Sequence, residues 1–80
     1  MLVPLHGFAP GDTLGVLVLV RSDDTVAVLA ASLAEAVAIR RVFSGALRVR
    51  KGDSLLPSDQ TVAVAGLKAL DRIDLVVGGV

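Results

Sequence analysis

Leu47-Arg48-Val49-Arg50-Lys51-Gly52-Asp53-Ser54-Leu55-Leu56-Pro57-Ser58-Asp59-Gln60-Thr61, running on through Gly66-Leu67 and Ile73-Asp74-Leu75-Val76-Val77 to Gly78-Gly79-Val80, is the stretch whose reading decides the fold. Leu47 to Arg50 alternates apolar and basic residues with a period of two, the pattern of a strand with one buried face. Leu47 and Val49 are expected to face the core, and Arg48 and Arg50 solvent or a partner. Lys51-Gly52-Asp53-Ser54 is turn-like in composition. Leu55 and Leu56 are expected to return apolar groups to the core as a very short strand. Pro57-Ser58-Asp59 forms a further turn, Thr61 to Gly66 one short helical turn, and Leu67 to Asp71 a loop. Ile73 to Val77 is the final strand.

Working outward, Leu2 to Phe8 reads as an edge strand, where Pro4 is tolerated because no donor is needed. Ala9-Pro10-Gly11-Asp12 is a turn. Leu14 to Val20 is apolar without interruption, which predicts a strand covered on both faces, or covered on one and close to a partner on the other. Asp23 or Asp24 is expected to cap a helix from about Thr25 to Arg41, the negative charge suiting its N-terminal end. Val26, Leu29, Ala30, Leu33 and Val37 fall on one stripe at helical spacing. Arg40 and Arg41 suit the C-terminal end, and Gly45 is a stop. The order is strand, strand, helix, strand, short strand, strand. It predicts an α+β chain of the ubiquitin-like β-grasp type: a mixed four- to five-stranded sheet packed on one helix, with residues 1–80 as a single domain.

Composition narrows function. Eight basic residues balance eight acidic ones, which argues against a nucleic-acid partner held by bulk charge. Phe8 and Phe43 are the only Phe, Tyr or Trp residues, so no stacking platform for single strands is expected. There is no cysteine, hence no disulfide framework, thiolate metal site or cysteine nucleophile. That agrees with a cytoplasmic setting. Apolar residues make up 54% of the chain, and a small domain so rich in them is expected to leave a patch on its surface for a partner. Leu14 to Val20 is far short of the roughly 20 residues of a membrane span. The N-terminus lacks the basic segment and following apolar run of a signal peptide.

The ordered set of segments also resembles a specific family. Val3-Pro4-Leu5-His6, the apolar strand Leu14 to Val20, Ser22-Asp23-Asp24 and Arg40-Arg41-Val42 carry the resemblance. So do Leu47-Arg48-Val49-Arg50-Lys51, Leu56-Pro57-Ser58-Asp59-Gln60-Thr61-Val62, Gly66-Leu67 and Ile73-Asp74-Leu75-Val76-Val77. Together they are similar to the small γ subunit, protein B, of the toluene, alkene and isoprene class of soluble di-iron monooxygenases. The resemblance implies a hydroxylase of two copies each of three chains, a hetero-hexamer in which this chain packs on the large and medium subunits. The di-iron centre is then in the large subunit, and the oxidised substrates are aromatic hydrocarbons or alkenes.

The residues present do not furnish chemistry of their own. A carboxylate-bridged di-iron site needs two histidines and about four carboxylates converging from a helix bundle; the chain has one His and one Glu. A Rieske centre needs cysteines. His6 has no evident orienting partner for general-base work. Ser22, Ser32 and Ser44 lack a neighbouring base, and the isolated glycines form no phosphate-binding fingerprint. Asp71 and Asp74 are expected as solvated residues bracketing the last strand. No catalytic, cofactor-binding or metal-binding residue is therefore assigned. A partner interface is assigned instead. Arg48, Arg50, Arg40 and Arg41 form a basic edge suited to interface ion pairs, and Val28, Ala31 and Ala38 form a small-residue helix face off the core stripe. The competing reading is a ubiquitin-like modifier or sulfur carrier that uses Gly78-Gly79. In that case a protease must remove Val80, and the strand leaves little tail to thread into an activating enzyme.

Overall fold

The computed structural model describes residues 1–11, 13–37 and 46–78. The elements are β1 (Leu2–Phe8), β2 (Val16–Arg21), α1 (Val26–Ala36), β3 (Ala46–Lys51), β4 (Ser54–Leu55) and β5 (Arg72–Gly78). One five-stranded sheet runs in the order β2-β1-β5-β3-β4. β1 and β5 are parallel, and the other pairings are antiparallel. The sheet is therefore mixed, as the alternation and element order predict.

β1 is not an edge strand. It lies between β2 and β5, and Pro4 is accommodated by register. Ser22 N–H donates to the Met1 carbonyl at 2.8 Å, so the bonded pairs toward β2 are those of Val3, Leu5 and Gly7. Pro4 opposes Leu19 in a non-bonded pair. Its nitrogen points toward β5, whose pairing with β1 begins only at His6. The missing N–H thus breaks no ladder bond.

The α1 stripe is buried as its spacing requires: Val26, Leu29, Ala30, Leu33 and Val37 all face inward. Val26, Leu29, Ala30 and Leu33 join Val3, Leu5, Val18, Val20, Val49, Ile73 and Leu75 from the sheet, with Leu56, Val62 and Leu67 closing the rim. Gly7 is buried beneath the helix, and a Cβ there would lie 2.7 Å from Leu33 Cδ1. Glycine leaves the space over β1 that the Leu33 side chain fills.

The cap differs from expectation. Thr25, not Asp23 or Asp24, is the N-cap, its Oγ1 accepting from Val28 N–H at 3.2 Å. Two other first-turn donors, Val26 and Ala27, go to the Gln60 and Ser58 carbonyls at 2.8 and 3.0 Å. With its orphan amides met by the 58–61 segment, the helix needs no acidic cap. Asp24 instead accepts from Arg21 N–H at 2.9 Å, and Asp23 pairs with the Arg21 side chain. The helix closes at Ala36 with Val37 as its C-cap, earlier than the predicted Arg41; residues 38–45 lie outside the described residues, as do Asp12 and the last two.

Of the two leucines after the β3 turn, Leu56 is in the core and Leu55 is 49% exposed. A strand shows only alternate side chains to one face, so adjacent leucines cannot both point inward. Thr61 to Gly66 makes the expected single helical turn, with Ala65 N–H donating to the Thr61 carbonyl at 2.9 Å.

Gly7→Ala should destabilise the chain by about 1–3 kcal/mol, because fully buried Leu33 has no free space into which to move. A thermal or urea melt against the unaltered chain checks this.

Candidate functional site

Helix α1 covers one face of the sheet, and the other, outer face is open. Alternation places Leu2, Pro4 and His6 of β1 on it, with Leu17, Leu19 and Arg21 of β2, Arg72, Asp74 and Val76 of β5, and Arg48 and Arg50 of β3. It divides into two halves. Toward β2 it is apolar: Leu2, Leu17 and Leu19 are 63%, 62% and 61% exposed. Of the two readings of the Leu14–Val20 run, the structure supports cover on one face alone. Val18 and Val20 are buried and the leucines between them are not.

Toward β3 the outer face is basic, but its arginines are held within the chain. Arg48 and Arg50 do share a face. Arg48 Nη2 donates to the Leu56 carbonyl at 3.1 Å, and its Nε is buried without a hydrogen-bond partner. Arg50 lies 3.8 Å from Asp74, and Arg72 lies 3.3 Å from the same carboxylate. Asp74 is therefore not the solvated residue that its sequence position suggests; it draws two guanidinium groups together. The stretch of sequence contains no sign of this, because the pairing arises from the β3–β5 register that sets Arg50 opposite Asp74.

Between the two halves sits a small ring cluster. His6 and Phe8 rings are 4.6 Å apart, and Arg72 stands 4.1 Å above the Phe8 centroid. His6 Nε2 lies 3.3 Å from the Leu14 carbonyl, to which it donates as the Nε2–H tautomer. Gly15, at φ +72°, closes over the cluster; a Cβ there would lie 2.7 Å from His6 Nε2. The histidine is a packing residue. Among the described residues no group of three or more His, Cys, Asp or Glu suited to a metal occurs.

The helix contributes a second surface. Val28 and Ala31 are exposed, with Ala27 and Ala36 beside them and Glu35 as the one charged group. Ala38, Arg40 and Arg41 lie outside the described residues, so the basic edge is described only at Arg48 and Arg50. Sequence reasoning missed Leu17 and Leu19 as surface groups. It also missed Leu70, an exposed leucine at φ 67° whose N–H donates to the Pro4 carbonyl at 2.6 Å. No helix is long and apolar enough to cross a membrane among the described residues.

Comparison with known proteins decides between the families compatible with this geometry. The family described as Toluene-4-monooxygenase system protein B (TmoB) matches residues 2–77. The chain belongs to this family. Among solved structures it is similar to a chain of "Toluene 4 monooxygenase HD Complex with Inhibitor 4-Bromobenzoate". The identity is 35%, with a TM-score of 0.87 over 98% of this chain and 100% of that one. It is also similar in fold to Caldiarchaeum subterraneum ubiquitin (15% identity, TM-score 0.75, 100% of this chain and 98% of that one). The ubiquitin-like domain of Plasmodium falciparum Dsk2 gives 20% identity and a TM-score of 0.76, over 98% of this chain and 100% of that one. These last two show the ubiquitin-like β-grasp alone. Curated proteins returned no match.

In this member of the family one further ion pair ties the approach to β5. The Asp71 carboxylate accepts from Lys68 N–H at 2.9 Å and from the Lys51 ammonium at 2.9 Å. The Lys68 amide foremost, then Lys51, holds this carboxyl below its ordinary range. Its contribution to stability is therefore complete above the unfolded value of about 3.9 and is lost as pH falls through the lower folded value. Asp71→Asn should lower stability at pH 7 and flatten its fall as pH drops below about 4. Denaturant melts across that range check both effects.

Proposed function

We propose that this chain is the small, non-catalytic γ subunit of the hydroxylase component of a soluble di-iron multicomponent monooxygenase. The enzyme would oxidise aromatic hydrocarbons or alkenes in the cytoplasm. The observation that carries the reading is the family match over residues 2–77, supported by 35% identity across the full length of a toluene 4-monooxygenase chain. On this reading the chain packs against the large and medium subunits of a hetero-hexamer, and the di-iron centre belongs to the large subunit. One His and one Glu in the whole chain cannot supply the ligands of such a centre. The outer shell of the molecule fits a docked subunit. It has open apolar surface on the sheet and on α1, and Arg48, Arg50 and Arg72 are braced from within.

The interface proposed comprises the basic edge Arg40, Arg41, Arg48 and Arg50 and the helix face Val28, Ala31 and Ala38. Bracing favours the first group. Arg48 is anchored by Leu56 and Arg50 is near Asp74, so each loses less side-chain freedom when a partner carboxylate arrives. Small side chains favour the second, since Ala27, Ala31 and Ala36 let another element approach α1 closely.

The conjugation reading fares less well. Gly78, the first glycine of the pair, is held within the sheet opposite Ala46. The ubiquitin relatives share 15–20% identity, which supports fold and not chemistry.

Co-expression with the large hydroxylase chain tests the assignment. Stable co-purification is expected, and Val28→Asp combined with Arg50→Ala should weaken it about tenfold or more while the isolated variant keeps its melting temperature to within a few degrees. A soluble, monomeric chain that ignores the large subunit would overturn the reading.

A further inference from the structure

We propose that the outer edge of β2 is the docking site for one extended apolar segment of the larger hydroxylase subunit, which joins the sheet as an added strand. The inference rests on the subunit reading above and names a contact that neither the arginines nor the helix face provides.

The backbone carries the argument. Bonded pairs in β1–β2 involve Val16, Val18, Val20 and Ser22, as the Ser22-to-Met1 bond fixes. The N–H and C=O groups of Leu17, Leu19 and Arg21 therefore point away from β1, at the end of the strand order. Arg21 is satisfied locally: its N–H donates to Asp24 Oδ2 at 2.9 Å and its carbonyl accepts from Asp24 N–H at 3.0 Å. Leu17 and Leu19 have no such partner among the described residues. Sheet edges are normally blunted by proline, charge, a bulge or shortness. The opposite edge, β4, is two residues long. From Val16 to Val20, β2 shows none of these devices.

The side chains around that edge fit a strand. A shallow groove of about 520 Å³ runs between β2 and α1, lined by Leu17, Val18, Leu19, Ser32, Glu35 and Ala36. Side chains of an added strand alternate between the two faces of the sheet. One set would cover exposed Leu17 and Leu19 on the outer face. The other would enter the groove beside Val18, where Ser32 and Ala36 leave room. Glu35 is the one carboxylate of this groove and has no ion-pair partner among the described residues, so it offers charge complementarity to a cation on the occupant. The incoming segment is thus apolar on both faces and carries one Lys or Arg on the helix side. A second copy of this chain suits the site less well. Its own β2 has a single cation, Arg21, already paired with Asp23 at 3.3 Å.

Amide hydrogen exchange on the full chain, free and co-purified with the large subunit, tests the proposal. The Leu17 and Leu19 amides should exchange freely in the chain alone and slow by about tenfold or more in the complex. Leu19→Pro deletes one outward donor without touching a bond to β1 and should weaken co-purification about tenfold. Glu35→Lys, on the exposed helix surface, should weaken it in the same direction. Association without slowed exchange at Leu17 and Leu19 overturns the edge contact and leaves the subunit reading standing. The same slowing in the isolated chain, rising with its concentration, makes a second copy the occupant and overturns the proposal. Failure of the two chains to associate at all overturns the subunit reading and the docking site with it.

Discussion

The α1 stripe of Val26, Leu29, Ala30 and Leu33, packed in one core with Leu5, Val49, Ile73 and Leu75, is the contact on which the rest of this chain depends. A domain of this size buries only about 60% of its unfolded surface, and with no cysteine it has no covalent staple. One helix and one sheet face must supply nearly all the core. That explains Gly7, whose missing side chain lets Leu33 approach β1, and it explains the attention given to the helix N-terminus. Thr25, Ser58 and Gln60 together satisfy its first amides. The 58–63 segment does two jobs, closing the core with Val62 and anchoring α1.

A single helix can cover only one face, and this forces the character of the surface. More than half of the residues are apolar, while the inner face has room for only alternate positions of each strand. The remainder lies outside, at Leu2, Leu17, Leu19 and along α1. In a free-standing protein such a surface is an aggregation hazard; in a subunit it is the material of an interface. The basic half of the outer face is organised by Asp74, which sets Arg50 and Arg72 in place. These two arginines are thus held in place by the chain itself.

The likeness to ubiquitins illustrates how little a β-grasp says about chemistry. The same sheet order and helix placement recur at 15–20% identity in proteins of other kinds. What separates this chain from them is the continuity of a family pattern from residue 2 to residue 77.

Sequence by itself determined the element order, the helical stripe, the inward-facing Val49 and the common face of Arg48 and Arg50. All of these follow from periodicity, a property of neighbours along the chain. The family was legible for the same reason, since its segments keep their order. Tertiary structure alone decided the rest. Thr25 displaced Asp23 and Asp24 as the cap because distant carbonyls at residues 58 and 60 reached the helix. β1 became interior because β5 paired beside it, and Asp74 became the partner of two arginines through β3–β5 register. The uninterrupted apolar run of β2 could not reveal which of its faces is bare, because hydrophobicity reports the wish for cover and only the placing of α1 shows which side receives it.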